Sequence, residues 1–358
     1  PSLASIKKGG MAVEQAPKKL SEALVIPLLA WYNEEKRDLP WRQDPTPYHV
    51  WLSEIMLQQT RVAAVMDYYR RFLDALPTVA DLAVCDGDAL MKLWQGLGYY
   101  SRARNLQKAA RIITEEHGGA FPNHYAAIRA LPGVGDYTAG AIASIAFGLP
   151  RAAVDGNVLR VVTRLTADHR DITDPATKRA VTEALEVILP TKAPGDFNQA
   201  LMELGATVCL PNGAPLCDKC PVKERCEAHH RDLTSSIPVK APKKERRVEE
   251  RDVYLIFFEG KAALRQRPPK GLLAGLWEYP NELSPGAPPV PGQVAFALAA
   301  KHIFTHIEWH MRACTVAAET AELPDGWVWA DERELAEKYS VPSAFQAFEH
   351  IVRQHLQK

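Results

Sequence analysis

The stretch Leu131-Pro132-Gly133-Val134-Gly135-Asp136-Tyr137-Thr138-Ala139 joins a proline, two glycines two residues apart and the start of a small-residue run, AGAIASIAFG. Glycines at that spacing permit a tight reversal of the backbone, after which a helix opens from Thr138. Backbone N–H groups freed at such a helix start face outward, where they attract a phosphate. The same spacing also suits a plain helix–turn–helix connection with no ligand. Around this turn, the chain from Ser21 to about Ala228 reads as helical. Leu24, Leu28, Leu29 and Tyr32 share one face, as do Leu82, Leu90, Leu93 and Trp94 further on, with Pro77, Pro122 and Pro190 as breaks.

The 358 residues imply two or three domains, and 47% apolar with 24% charged residues excludes a wholly disordered or fibrous chain. The longest apolar runs, Ala23–Trp31 and Ala139–Leu149, are broken by Pro27 and by glycines, so no membrane span is expected. The amino end lacks the apolar core of a secretory signal, Met11 is a candidate start, and a cytoplasmic protein is expected, nucleoid-associated if bacterial. Net charge is zero, so a nucleic-acid partner has to rest on local patches.

Composition shifts at 234–251, a polar, charged, proline-bearing stretch that reads as a linker. Beyond it VYLIFFEG, AALRQRP, LWEYP, HIFTHIEWHMRACTV and GWVWA read as short strands, with helices expected around Val294–Ala300 and Ser343–Gln357. The expected organisation is a flexible N-terminus over 1–20, a helical domain over 21–232, a linker over 233–251 and an α+β domain over 252–358.

Cys85 and Cys314 stand alone and read as small core residues. Cys209, Cys217, Cys220 and Cys226 form C-x7-C-x2-C-x5-C, a pattern better suited to a metal or cluster than to disulfides; zinc and iron–sulfur both need four converging thiolates. Asp155, in Asp155-Gly156-Asn157-Val158, reads either as a helix N-cap or as a carboxylate able to stabilise a developing cation. Glu54, in WLSEIMLQQT (Trp51–Thr60), borders an apolar helix face, where desolvation disfavours the ionised form and suits a general acid. A surface glutamate over packed neighbours is the plainer reading.

Taken together, WLSEIMLQQT, the glycine hairpin with Gly148-Leu149-Pro150 and Asp155, and the four cysteines resemble the adenine DNA glycosylases of the MutY type, members of the helix-hairpin-helix, Gly/Pro, Asp superfamily. LPWRQDPTPY (Leu39–Tyr48), GLGYYSRARNL (Gly96–Leu106) and FNQALMELGA (Phe197–Ala206) add to the likeness, which extends over about residues 30–230 and resumes more sparsely in the C-terminal part. The fold implied is an all-α helix-hairpin-helix glycosylase domain with an iron–sulfur cluster loop, followed by a Nudix-like α+β domain.

The resemblance implies a monomeric base-excision enzyme that extrudes adenine mispaired with 8-oxoguanine, or with guanine, from double-stranded DNA and hydrolyses its N-glycosidic bond. Glu54 matches the catalytic general acid, which protonates adenine N7. Asp155 matches the aspartate that stabilises the oxocarbenium-like sugar, and Tyr137 the residue that orients both. Arg42 and Gln199 match adenine-edge contacts. Gln59 and Tyr99 match wedges into the duplex, Thr60 and Leu97 contacts near 8-oxoguanine, and Gly133 and Gly135 the backbone clamp. Tyr99 and Tyr100, set between Gly98 and Ser101-Arg102, are both read as loop residues rather than core. The four cysteines match ligands of a [4Fe–4S] cluster, although seven residues separate the first pair where the family usually has six; the cluster is expected to shape a basic loop at Lys219, Lys223 and Arg225.

GLLAGLWEYP (Gly271–Pro280) and Phe304-Thr305-His306 resemble the family's lesion-reading module, with a threonine where a serine is common. No acidic metal-binding helix follows Pro280, which favours binding over pyrophosphate hydrolysis. The nearest rival is an endonuclease III-like glycosylase/lyase, whose lysine nucleophile would stand where this chain has Tyr137. A catalytically idle DNA-binding protein is the rival of a different class; the presence of both Glu54 and Asp155 speaks against it.

Overall fold

The computed structural model describes residues 17–242 and 245–357. The expected flexible N-terminus, with Met11, therefore falls mostly outside the described residues. Lys18, which lies inside them, is tied down, its N–H donating to the Thr166 carbonyl at 2.9 Å. Among the described residues no helix is long and apolar enough to cross a membrane.

Two compact units are present, and they do not follow the split between helical and strand-rich sequence. The first takes the chain up to Pro47, Asn123–Arg129 and Val134–Ala241; the second takes Tyr48–Pro122, Ala130–Gly133 and everything from Pro242 onward.

In the first unit, helices Val25–Glu35, Gly156–Thr166, Pro175–Ile188 and Pro194–Thr207 enclose a core that includes Leu28, Tyr32, Val158, Val162, Leu185, Phe197 and Leu204. The small residues of AGAIASIAFG form helix Asp136–Phe147, buried from Thr138 through Ser144. Their size is a packing requirement: a Cβ on Gly140 would lie 2.2 Å from the Ala152 carbonyl oxygen. The expected linker is narrower than its composition suggests. Ile237 is buried against Ala167 and Ala228, and its carbonyl accepts from Arg164 Nε at 2.8 Å. A buried guanidinium needs such acceptors, and this one draws the polar segment onto the helices. Residues from Arg247 are already strand.

The second unit joins helices Pro47–Leu57, Val62–Ala75, Val79–Val84, Gly87–Trp94 and Ser101–Glu116 to a mixed seven-stranded sheet. Its strands are β1 Arg247–Phe258, β2 Lys261–Gln266, β3 Trp277–Glu278, β4 Asn281–Leu283, β5 Gly292–Ile303, β6 Ile307–Ala318 and β7 Trp327–Ala330. The order is β3-β2-β1-β6-β5, with β4 on β1 and β7 on β2; β1 and β6 run parallel from Arg247↔Ile307 to Phe257↔Ala317. Alternation along β1 sends Val253, Leu255 and Phe257 to one core and Tyr254 and Ile256 to another. The first face is closed by Phe345 and Phe348 and by helix Glu349–Leu356. Backbone acceptors bind the sheet region to the helices of its own unit. Lys92 Nζ donates to the Leu335 carbonyl at 2.9 Å, Arg104 Nη1 to that of Ala274 at 2.7 Å, and Ser340 Oγ to that of Met91 at 3.1 Å.

The helix expected at Val294–Ala300 is instead part of β5, paired antiparallel with β6 from Gly292↔Ala318 to Ile303↔Glu308. Alanines give that stretch helix propensity, but long-range pairing overrides it. Cys85 and Cys314 are half-buried, and Cys314 packs against the core of Tyr254, Ile256 and Val316.

Candidate functional site

Glu54 sits in helix Pro47–Leu57, whose residues Trp51, Leu52, Ser53, Ile55 and Met56 are also buried, and is itself only 6% exposed. It is not the surface glutamate of the plainer reading. The helix runs out at Gln58–Thr60, and Gln59 there holds a left-handed backbone with φ 59°. Tyr99 does the same at φ 47°, in the turn before helix Ser101–Glu116, and stays 46% exposed. Two non-glycine residues in this conformation, both solvent-facing, mark strained positions of the kind found at functional sites. Both line a cleft of about 240 Å³ whose other walls include Trp51, Gln58, Asn105 and Gly133. Neighbouring Tyr100 is buried, so of the tyrosine pair only Tyr99 is a loop residue in the sense expected. Leu97 is buried as well, and Thr60 is half-buried.

A residue that the sequence did not single out holds these two turns. Arg102 is buried, and its guanidinium donates to the carbonyls of Ile55 at 2.8 Å, Met56 at 3.0 Å, Gln58 at 2.7 Å, Leu97 at 2.9 Å and Gly98 at 3.1 Å. It thereby caps the carboxyl end of the Glu54 helix and ties it to the Tyr99 turn. Burial lowers its pKa to about 10, which leaves it charged at neutral pH. The available signal was positional: Arg102 falls on the same helix stripe as Leu106, Ala109 and Ile113, all buried.

Phe304-Thr305-His306 forms the turn between β5 and β6. Phe304 packs edge-on to Trp309 at 4.9 Å, while Thr305 and His306 are exposed. The Thr305 hydroxyl shares a hydrogen bond of 2.8 Å with the Tyr99 hydroxyl, so a sheet turn and a helix turn of one unit present their side chains together.

At the hairpin, Gly133 has φ 77°, and a Cβ there would lie 2.8 Å from Asn105 Cβ. Gly135 is the N-cap of helix Asp136–Phe147 and has open space around it. In the first unit, Asp155 is indeed an N-cap. Its carboxylate accepts from the Val158 N–H at 2.7 Å and from Asn157 Nδ2 at 2.9 Å. Burial pushes its pKa above the ordinary carboxylate value, against the pull of those donors and of Arg160. Tyr137 is half-buried, with its hydroxyl 3.8 Å from Met202 Sδ. Arg42 Nε donates to Gln199 Oε1 at 3.3 Å, so the two residues read as adenine-edge contacts are bonded to each other.

Cys209, Cys217, Cys220 and Cys226 are all half-buried thiols. Burial, and then the charges of the other three, push Cys220 up to about 12. Arg164 Nη1 lies 3.3 Å from Cys209 Sγ. Among the described residues no three Cys, His, Asp or Glu side chains close into a metal-binding group. Four soft sulfur donors within electrostatic reach of one another, with a cation beside one of them, nonetheless fit a thiolate-held metal or cluster in chemistry. The basic character expected of this loop is partly cancelled, since Lys223 pairs with Asp218 at 2.7 Å.

Residues 52–190 match the family described as HhH-GPD superfamily base excision DNA repair protein, and residues 253–349 match a NUDIX domain. Among solved structures, a thermostable thymine-DNA glycosylase is 30% identical with a TM-score of 0.52, over 59% of this chain and 96% of that one. An endonuclease III trapped on DNA is 23% identical with a TM-score of 0.51, over 60% and 99%, and shares the fold. The class is thus a helix-hairpin-helix base-excision repair protein that carries a Nudix-like domain. The adenine DNA glycosylase of Rattus norvegicus is 37% identical over 90% of this chain and 77% of its own length; that of Homo sapiens is 37% identical over 86% and 70%. The chain belongs to the adenine DNA glycosylase family.

Proposed function

We propose that this protein removes adenine paired with 8-oxoguanine, or with guanine, by hydrolysing the bond between base and sugar after the nucleotide has left the stack. The observation that carries the proposal is the burial of Glu54, a carboxylic acid on a helix with few other polar groups, immediately before a strained, exposed turn. Glu54 donates a proton to adenine N7, which makes the base a neutral leaving group, and then assists the attack of water. Asp155, fixed by the Val158 and Asn157 donors, offers its carboxylate to the positive charge that grows on the sugar. Tyr137 orients the carboxylates, and Arg42 and Gln199 read the edge of the base.

Gln59 and Tyr99 fill the duplex where the base was, an aromatic face replacing stacking worth ~1–3 kcal/mol. Thr60, Leu97, Phe304, Thr305 and His306 read the opposite lesion, and the Tyr99–Thr305 bond supports treating wedge and reader as one element. Gly133 and Gly135 receive the DNA backbone at the helix start. Cys209, Cys217, Cys220 and Cys226 hold a [4Fe–4S] cluster, which supplies structural order to the loop and no hydrolytic step. Tyr137 offers no amine, so Schiff-base lyase chemistry at that position is excluded.

The test compares cleavage of duplexes carrying adenine opposite 8-oxoguanine, adenine opposite thymine, thymine opposite guanine, and thymine glycol opposite adenine. Preference for the first supports the proposal. Preference for either damaged or mispaired thymine refutes it.

A further inference from the structure

Glu203 was not among the expected site residues. It lies four residues after Gln199 in helix Pro194–Thr207, so the two share a face. Its side chain is 1% exposed, and both oxygens accept twice. Oε1 takes the Arg37 backbone N–H at 3.2 Å and Arg37 Nε at 2.6 Å; Oε2 takes Arg37 Nη2 at 2.9 Å and Arg42 Nη2 at 2.7 Å. A carboxylate has about four such positions, so Glu203 is saturated and cannot itself contact a base. Arg42 is held on further sides, by Nη1 on the Arg37 carbonyl at 2.9 Å and by the Tyr32 ring, 5.4 Å away. With one N–H on each Nη engaged in this way, the orientation of Nε–H is set, and it meets Gln199 Oε1 at 3.3 Å. That N–H can only donate, so the Gln199 atom facing it has to be the oxygen. Turning the amide over would set NH₂ against N–H.

We propose that Glu203 is a positioning residue: by anchoring Arg42 it fixes the polarity of the Gln199 amide, and so selects which purine edge is accepted. This rests on the reading of Gln199 as a contact to the base. The fixed amide keeps one acceptor position on its oxygen beside two N–H donors. Adenine offers the complement, an N6–H donor next to the N1 acceptor, on the edge left free when Glu54 takes N7. Hypoxanthine offers the inverse, an O6 acceptor next to an N1–H donor, and matches only the amide turned over. An amide released from Arg42 samples both orientations.

Single-turnover excision is measured with the full chain on duplexes holding adenine or hypoxanthine opposite 8-oxoguanine. Glu203→Gln places amide N–H groups against the arginine donors and lets Arg42 go. Arg42→Met removes the Nε–H while leaving Arg37 on Glu203, and serves if the first variant fails to fold. The expected result is a fall in the adenine-to-hypoxanthine rate ratio of roughly tenfold to a hundredfold in either variant. Equal slowing on both bases, which a merely structural role would give, overturns the proposal, as does hypoxanthine left intact by every variant. Gln199→Ala separates the two levels. If it excises adenine at the unmodified rate, the contact to the base itself is refuted. If it is slow while the Glu203 and Arg42 variants keep their ratio, only the polarity lock fails.

Discussion

Replacing Arg102 by lysine tests how the Gln59 and Tyr99 turns are held. The guanidinium binds five carbonyls, three on the Ile55–Gln58 side and two at Leu97 and Gly98. Hydrogen bonds to a charged group are worth ~1.5–3 kcal/mol each, and five added together would rival the ~5–15 kcal/mol stability of a whole domain. Plain addition therefore overshoots, because burying the guanidinium itself costs several kcal/mol. A difference is sounder. The five carbonyls share four N–H on two nitrogens, Nη1 facing Ile55–Gln58 and Nη2 facing Leu97 and Gly98. Lysine has a single nitrogen, so whichever side it leaves loses the partner of at least two carbonyls. At ~1–3 kcal/mol per abandoned buried acceptor, with some regained from water, the two turns should lose ~2–4 kcal/mol. The assay is native-state hydrogen exchange on peptides spanning 55–60 and 96–101, read beside the β1–β6 ladder as an internal reference. Exchange in the two turns should accelerate by about 30-fold or more while the sheet changes little. Acceleration below about threefold, or equal acceleration of turns and sheet, would refute the reasoning.

Three further outcomes follow from single contacts. Burial raises the Asp155 pKa in the folded state, so that residue's contribution is fully present below the unfolded value of ~4 and is lost as pH rises through the folded value. Wild type should thus lose stability relative to Asp155→Asn as pH rises above about 4 in denaturant titrations; a pH-independent difference would contradict it. Gly133→Ala meets both a left-handed φ and Asn105, and should cost about 1–3 kcal/mol in thermal unfolding and weaken duplex binding, whereas Gly135→Ala, facing open space, should leave folding nearly intact. Tyr99→Phe and Thr305→Val should each reduce discrimination between 8-oxoguanine and guanine, and the double variant should be no worse than the poorer single one; full additivity would argue that their hydrogen bond is incidental.

The hairpin, the strand set of the C-terminal half and the loop position of Tyr99 were legible because each leaves a short-range mark: paired glycines, alternating β-branched residues, an aromatic between turn residues; Gln59 came only from the family resemblance. What escaped depended on distant partners. The β5 stretch carries the alanines of a helix and becomes a strand only because β6 lies beside it. Arg164 and Ile237 show the same limit, since nothing in Ser235–Arg251 announces that its carbonyl satisfies a buried arginine. Arg102 and Glu203 are charged side chains at positions on buried helix stripes, and their roles appear only once the surrounding carbonyls and guanidinium groups are in place. The left-handed backbone of Gln59 and Tyr99 likewise has no sequence signature of its own.

Mutating the two proposed catalytic carboxylates one at a time asks the central question most directly. Glu54→Gln and Asp155→Asn are each mixed in excess with a duplex carrying adenine opposite 8-oxoguanine, and binding and base release are followed in the same sample. Lesion affinity close to wild type with excision slowed by several orders of magnitude is the predicted result for both. Excision within a few-fold of wild type in either variant would contradict the assignment of proton donor and cation stabiliser.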